Sequence, residues 1–70
     1  MLSKRSFSLS GHRTSVALEA EFWRALEAEA TERGQSLSAL VSVIDRERGP
    51  DQPLASCLRV HALLHASAPR

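Results

Sequence analysis

The chain has 70 residues, a net charge of +1 and a hydrophobic fraction of 43%, which predicts one domain spanning residues 1–70. A domain of this size buries only about 60% of the surface of its unfolded chain, so its own core is marginal. The single cysteine, Cys57, excludes an intrachain disulfide and fits a reducing cytoplasm. Small domains without such cross-links usually complete their burial by oligomerising, so we expect an obligate homodimer.

Membrane proteins, secreted proteins and enzymes are disfavoured. The basic start at Lys4 and Arg5 is followed by serine-rich alternating sequence rather than by the apolar stretch of a secretory signal. No run approaches the roughly 18 apolar residues of a membrane span. There is no glycine-rich phosphate loop and no nucleophile elbow. We therefore expect a cytoplasmic protein that is not an enzyme and needs no cofactor.

Charge is unevenly distributed along the chain. Residues 1–18 carry three basic side chains, Lys4, Arg5 and Arg13, and no acid, for a charge of +3. Residues 19–34 carry five glutamates and two arginines, for a charge of −3. This uneven distribution indicates that the N-terminal end offers a surface for a polyanion. The total charge of the chain does not show it, because the basic and acidic segments cancel.

Residues 4–18 alternate between apolar and polar side chains, as half-buried strands do. The apolar positions are odd before Gly11 and even after it, so one continuous strand would turn half of them outward. A two-residue hairpin at Ser10-Gly11, with strands at about 4–9 and 12–18, places the apolar residues on one face. A bulge at Gly11 or a disordered first arm would also relieve the conflict. In the hairpin, the other face carries Lys4, Ser6, Ser8, Arg13, Ser15 and Ala17.

Two amphipathic helices are predicted next, at about 20–33 and 37–48. The first is rich in Ala, Leu, Glu and Arg, which favour helices, and Gly34 is placed to end it. Ser36 is a good N-cap for the second. Both aromatic residues of the first helix, Phe22 and Trp23, are interpreted as core. The core stripes contain Phe22, Leu26 and Ala30 in the first helix, and Leu37, Leu40, Val41 and Ile44 in the second.

A third helix is predicted at about 54–66, and its apolar residues surround most of its circumference. We therefore expect it to be buried on most sides, within a dimer or between dimers. Cys57, His61 and His65 share one face at i, i+4 and i+8. However, Cys57 and His65 lie about 12 Å apart along the axis, too far for one ion. No metal site is predicted.

The order of these elements resembles the ribbon-helix-helix family of DNA-binding proteins. The similarity extends over roughly residues 4–66 and is carried by Arg13-Thr14-Ser15-Val16-Ala17-Leu18, by Phe22, Leu26 and Ala30, and by Gly34-Gln35-Ser36-Leu37-Ser38-Ala39-Leu40. Residues 12–23 resemble the small bacterial members in particular. The resemblance implies a mainly α fold with an N-terminal β ribbon, formed between the two chains of an intertwined homodimer. The third helix is additional to the minimal family domain.

The resemblance also implies the roles of individual residues in DNA binding and in the dimer core. The ribbon would lie in the major groove of double-stranded DNA, with Arg13, Ser15 and Ala17 contacting bases. Ala17 offers only a methyl group, so the base-reading set is small. The DNA backbone would be contacted by Lys4, Arg5, Ser36, Leu37 and Ser38. The dimer core would contain Val16, Leu18, Phe22, Leu26, Leu37, Leu40, Val41 and Ile44.

Three functions are compatible with this assignment. A transcriptional repressor that acts as a homodimer, or as a tetramer or larger assembly, fits best. An antitoxin that binds a toxin partner and regulates its own operon is the first alternative. A protein-interaction module that keeps the fold without binding DNA is the second.

Overall fold

The structure is a computed structural model that describes residues 1–67. The predicted domain continues through residues 68–70, which lie outside the described part. Within it the elements follow in the order β1 (Leu2–Leu9), β2 (His12–Glu19), α1 (Ala20–Glu32), α2 (Leu37–Glu47) and α3 (Leu54–Ser67). Each predicted element is present, and β1 begins two residues earlier than the alternation indicated.

β1 and β2 form an antiparallel hairpin around a two-residue turn. Ser10 has φ 50° and Gly11 has φ 82°, so both turn residues have the positive φ of a type I′ turn, whose twist matches that of the flanking strands. Pairing continues without interruption from Leu9 opposite His12 to Leu2 opposite Glu19. The predicted register is confirmed, and both alternatives, a bulge at Gly11 and a disordered first arm, are wrong.

The hairpin buries one face and exposes the other. Phe7, Leu9, Val16 and Leu18 are buried on the inner face, against the helices. Because side chains alternate along a strand, the residues between them point to the opposite side. All three helices therefore pack on one side of the ribbon, and its other side is left open.

Helix α1 ends where the sequence predicted, at a glycine. Gly34 has φ 68°, a conformation that costs other L-residues roughly 1–2 kcal/mol. The N–H of Gly34 donates to the carbonyl of Thr31 at 3.1 Å, and the N–H of Gln35 donates to that of Ala30 at 3.0 Å. This pair of bonds is a Schellman motif, which satisfies the last carbonyls of the helix and turns the chain toward α2.

Of the two aromatic residues of α1, the sequence analysis placed Phe22 on the core stripe, but the structure buries Trp23 more deeply. Trp23 is 1% exposed and Phe22 only partly buried. The Trp23 indole N–H donates to the carbonyl of Ser3 at 2.8 Å, and its ring lies 5.8 Å from that of Phe7. Adjacent helix positions cannot both point inward, and the indole takes the inner position because β1 supplies an acceptor for its N–H.

The core is complete within one chain. Twelve apolar side chains are buried among the described residues. Six of the eight residues predicted for the dimer core are among them, namely Val16, Leu18, Leu26, Leu40, Val41 and Ile44. Phe22 and Leu37 pack against the same cluster but are partly exposed. One chain therefore covers most of these residues by itself, and the expected sharing of the core between two chains stays a prediction.

Helix α3 adds buried side chains to the core formed by the ribbon and the first two helices. Leu58 and Ala62 are buried, and Leu54, Ala55 and Cys57 pack at the edge of the core. The expected burial of α3 on most sides, within a dimer or between dimers, stays a prediction, because the structure describes a single chain. Val60, Leu63 and Leu64 remain 55%, 61% and 65% exposed.

A buried carboxylate links α1 to α3. Glu29 is fully buried, and its Oε2 lies 2.7 Å from Nη2 of Arg33 and 2.8 Å from Nε2 of His61. Its Oε1 has no hydrogen-bond partner, since the nearest imidazole atom, Nδ1 of His65, is 3.9 Å away. A buried carboxylate is stable only when paired. The Arg33 guanidinium is the permanent positive charge that balances it.

We predict that Arg33→Ala lowers the free energy of unfolding by about 1–3 kcal/mol, because it leaves a buried charged acceptor poorly satisfied. Chemical denaturation measures this change. The matched control is Arg46→Ala, which removes an exposed arginine from the last turn of α2 and should change stability by no more than about 0.5 kcal/mol. Equal stability of the two variants would show that the imidazoles alone compensate Glu29.

Candidate nucleic-acid interface

The outer face of the ribbon, which we define as the side of β1 and β2 turned away from the helices, is polar and accessible. Ser6 and Ser15 lie opposite each other, with their hydroxyl oxygens 3.0 Å apart. Nη1 of Arg13 donates to the hydroxyl of Ser8 at 3.4 Å, so the guanidinium stays at the surface. The predicted base-contacting residues, Arg13, Ser15 and Ala17, do share this face, Ala17 being half-buried.

Positive charge dominates the outer face. Lys4 and Arg13 are exposed. Glu19, at the end of β2, is an acid at the edge of the face, and its Oε1 lies 3.1 Å from Nε of Arg59. Hydrogen bonds from its own backbone N–H and from Arg59 hold the pKa of Glu19 below its ordinary value. The carboxylate is therefore neutralised by a cation from α3, and less of its charge opposes an approaching polyanion.

Arg5 does not belong to this face, in contrast to its predicted role as a contact to the DNA backbone. Its odd position places it on the inner side of β1, where Nη1 lies 3.0 Å from Oε2 of Glu27. The guanidinium carbon also lies 5.0 Å from the centre of the Trp23 ring, within the range of a cation–π contact. Arg5 thus joins β1 to α1, because alternation along the strand decides its direction.

The start of α2 is a second group of predicted contacts. The Ser36 hydroxyl accepts a hydrogen bond from the N–H of Ala39 at 3.0 Å, which makes Ser36 the N-cap. The N–H groups of Leu37 and Ser38 lie in the first turn, where helices have no internal acceptor. No acidic residue lies in that turn. These donors can receive an anion, although no hydrogen bond within residues 1–67 joins them to the ribbon.

The histidines of α3 have partners that the sequence reasoning missed. His61 contacts Glu29, and Nε2 of His65 lies 3.1 Å from Oε2 of Glu32, whereas Cys57 lies near Gln52. The available signal was Glu29 and Glu32 at i, i+3 on one helix, matched by two histidines at i, i+4 on another. Across residues 1–67, no three His, Cys, Asp or Glu side chains are placed to hold a metal ion.

Comparison with known families identifies the fold. The family model of the ribbon-helix-helix domain matches residues 2–66. The chain belongs to the ribbon-helix-helix family. This family is in general one of DNA-binding regulators rather than of enzymes. None of the helices within residues 1–67 has the combination of length and hydropathy that a membrane span requires.

A solved structure supports the same fold. An uncharacterized protein from Bordetella pertussis Tohama I superposes with a TM-score of 0.78 at 32% sequence identity. The match covers 94% of this chain and 56% of that protein, so the chain spans about half of its length. A comparison with curated proteins finds no match.

This ribbon-helix-helix chain contains both strands of its ribbon. The resemblance implied an intermolecular ribbon, to which each of two chains contributes one strand. Here β1 occupies the place beside β2, because the Ser10-Gly11 turn returns the chain antiparallel to itself. The outer face of one chain therefore carries side chains from both strands, with Ser6 of β1 opposite Ser15 and Ser8 opposite Arg13.

We predict that Arg59→Met raises the pKa of Glu19 part of the way toward its ordinary value of 4.5, since the bond from its own N–H remains. An NMR titration of the Glu19 carboxyl carbon measures the change, with Arg24→Met on the exposed surface of α1 as the control. Because the folded-state pKa is lowered, this contact stabilises the fold above the unfolded-state pKa and is lost as the pH falls through the folded-state pKa. An unchanged Glu19 titration in Arg59→Met would contradict the assigned ion pair.

Proposed function

We propose that this protein is a sequence-specific DNA-binding transcriptional regulator, a repressor, that inserts the outer face of its ribbon into the major groove. The observation that supports this most is the outer face itself. It is cationic, rich in hydroxyls and accessible, and the acid at its edge is paired with Arg59. Family membership supports DNA binding in general.

The dimensions of the ribbon suit the groove. Two strands lie about 4.8 Å apart, and the major groove is about 12 Å wide, which admits a two-stranded ribbon. An eight-residue strand such as β2 extends over about 27 Å, long enough to cross several base pairs. Arg13 would donate to guanine O6 and N7. The Ser15 hydroxyl would donate to or accept from the edge of a base, and Ala17 would contact a thymine methyl group.

The backbone contacts would come from two places. Lys4 lies on the same face as Arg13, at the end of the ribbon that is remote from the turn. The free N–H groups of Leu37 and Ser38, with the Ser38 hydroxyl, would hold a phosphate at the start of α2. Arg5 is left out of this set because Glu27 and Trp23 occupy its guanidinium.

A homodimer would present two such ribbons to two half-sites, as two-fold symmetric regulators do. We place this action in the bacterial cytoplasm, where the chromosome is accessible. Further association into tetramers would add half-sites without changing the contacts of each ribbon. The DNA experiments below separate this proposal from the interaction-module hypothesis, because an interaction module needs no cationic outer face. They do not separate it from the antitoxin hypothesis, because an antitoxin that regulates its own operon also binds DNA.

We predict salt-dependent binding to the DNA upstream of the gene. If about five phosphates are contacted by a dimer, the slope of log K against log salt should be about −4 to −5, from about 0.9 for each neutralised phosphate. Arg13→Ala should cost about 1–3 kcal/mol and relax specificity at one position of each half-site if Arg13 reads a base. Fluorescence anisotropy over a salt series measures both quantities.

Arg5→Ala is the matched control, since it removes the same side chain from the opposite face of the same ribbon. It should lower stability while leaving the salt slope and the specificity of the folded protein unchanged. Equal loss of DNA affinity in both variants would mean that charge alone, and not the outer face, determines binding. Absence of salt-sensitive binding in wild type at low salt would favour the interaction-module hypothesis.

A separate prediction concerns the start of α2. Ser38→Glu places a carboxylate beside the expected phosphate, and a first-turn acid is compatible with the helix dipole. DNA affinity should therefore fall without loss of helix content, as followed by anisotropy and circular dichroism. Ala28→Glu adds the same charge at an exposed position of α1 and controls for the change in net charge. If the two variants lose the same affinity, the phosphate site at α2 is disproved.

A further inference from the structure

The outer face of the ribbon has no two-fold symmetry. Its outward pairs, ordered from the turn to the far end with the β1 residue first, are Ser8 with Arg13, Ser6 with Ser15, Lys4 with Ala17, and Leu2 with Glu19. A half-turn about an axis perpendicular to the sheet exchanges both the strands and the ends of the ribbon. It brings Arg13 onto Leu2 and Ser8 onto Glu19, and no outward residue falls on one of its own type.

A ribbon formed from two identical chains is symmetric instead. The two-fold axis of such a dimer passes through the ribbon, so each outward residue occurs once on either strand. A symmetric protein surface favours a palindromic DNA site. The turn at Ser10 and Gly11 removes this constraint, because both strands belong to one chain. A single chain thus contains a complete ribbon with two different strands.

The half of the outer face near the turn is rich in hydrogen-bond donors. Nη1 of Arg13 donates to the Ser8 hydroxyl at 3.4 Å, which steadies the guanidinium and leaves its other N–H groups for a base. The hydroxyl oxygens of Ser6 and Ser15 lie 3.0 Å apart. One hydroxyl donates to the other, so the second keeps its O–H for a base. Because guanine O6 and N7 accept from a guanidinium, this half favours guanine.

The half remote from the turn has a different chemistry. Leu2 is 52% exposed, and Ala17 presents a methyl group. Lys4 is exposed and suits a phosphate, whereas Glu19 is paired with Arg59 at 3.1 Å. Apolar side chains contact the methyl group of thymine in the major groove. This half therefore favours thymine.

We propose that one chain recognises a non-palindromic DNA subsite in a single orientation, with guanine under the turn half and thymine under the far half. The inference rests on the proposed function and names the class of DNA sequence that it takes. Outward residues of one strand lie about 6.8 Å apart, close to two base pairs at about 3.4 Å each. Arg13 and Ala17 therefore contact bases about four pairs apart. A dimer would join two such subsites.

Strand β1 contributes to specificity in this arrangement. Ser6 contacts a base through the hydroxyl pair, and Ser8 is a positioning residue that holds the Arg13 guanidinium near the turn. Both serines are exposed, so neither is needed for the core. The choice of bases then depends on both strands of one chain.

Selection of bound duplexes from a random pool, with the full chain, tests the asymmetry. Each selected sequence is shortened to the smallest duplex that still binds, and native mass spectrometry counts the bound chains. We expect one chain on a duplex with guanine in one half and thymine in the other. A smallest duplex that is an inverted repeat holding two chains would overturn the proposal.

Directed cleavage tests the orientation. In a Cys57→Ser background, His12→Cys at the turn and Leu2→Cys at the far end, both at exposed positions, are labelled with iron–EDTA. The His12→Cys conjugate should cut the selected duplex beside guanine, and the Leu2→Cys conjugate should cut beside thymine. Equal cutting at both ends by either conjugate would exclude a single orientation.

The role of Ser8 is tested by its effect on base preference. Ser8→Ala should lower the preference for guanine about two- to tenfold, the effect of losing one hydrogen bond, and Ser8→Thr should restore it. Ser56→Ala, at an exposed position of α3, is the matched control and should have no effect. Thermal unfolding checks that each variant is folded, and an unchanged preference in folded Ser8→Ala would overturn the role of Ser8.

Failure of this inference is distinguishable from failure of the proposed function. Absence of salt-sensitive DNA binding in wild type contradicts the proposed function. Specific binding to a symmetric smallest duplex contradicts only the asymmetric subsite.

Discussion

The positive φ angles of Ser10 and Gly11 are the constraint from which the remaining architecture follows. They form a turn whose twist matches that of paired strands, so β1 returns beside β2 in a fixed register. In that register the odd apolar positions of β1 and the even ones of β2 fall on the same face. A shift of one residue would turn one apolar set to solvent, so the turn and the core specify the same pairing.

Pairing within one chain changes how the core is completed. In a ribbon made from two chains, each core depends on the partner's strand and helices. Here β1 covers Trp23 and accepts its indole N–H through Ser3, and Leu58 of α3 closes the other side. The short chain predicted that a partner would be needed to bury the apolar side chains. Here one chain buries most of them itself. The exposed apolar surface that remains lies on α3 and not around the core. Folding and association of the chain therefore depend on different surfaces.

The basic side chains of the ribbon have different roles on its inner and outer faces. Arg5 and Arg13 lie on adjacent strands of one ribbon, yet one holds β1 to Glu27 of α1 and the other stays at the surface. Arg59 contributes from α3 by pairing with Glu19 at the edge of the outer face. Positive charge on the outer face therefore depends on contacts that belong to the fold. A substitution of Arg59 in α3 would therefore change the charge at the edge of the outer face.

The sequence by itself determined the elements, the hairpin register, the helix ends at Ser36 and Gly34, and the family, because each depends on residues close together in the chain. Alternation, capping and turn chemistry are local, so they can be read without coordinates. Tertiary structure decided the rest. The burial of Trp23 in place of Phe22 depends on a bond to Ser3, 20 residues away. The ion pair between Arg5 and Glu27 joins residues 22 apart, and the contact between Glu29 and His61 joins residues 32 apart. The exposure of α3 depends on which of its sides the other elements cover. Such contacts depend on the packing angles of whole helices, which no local pattern encodes.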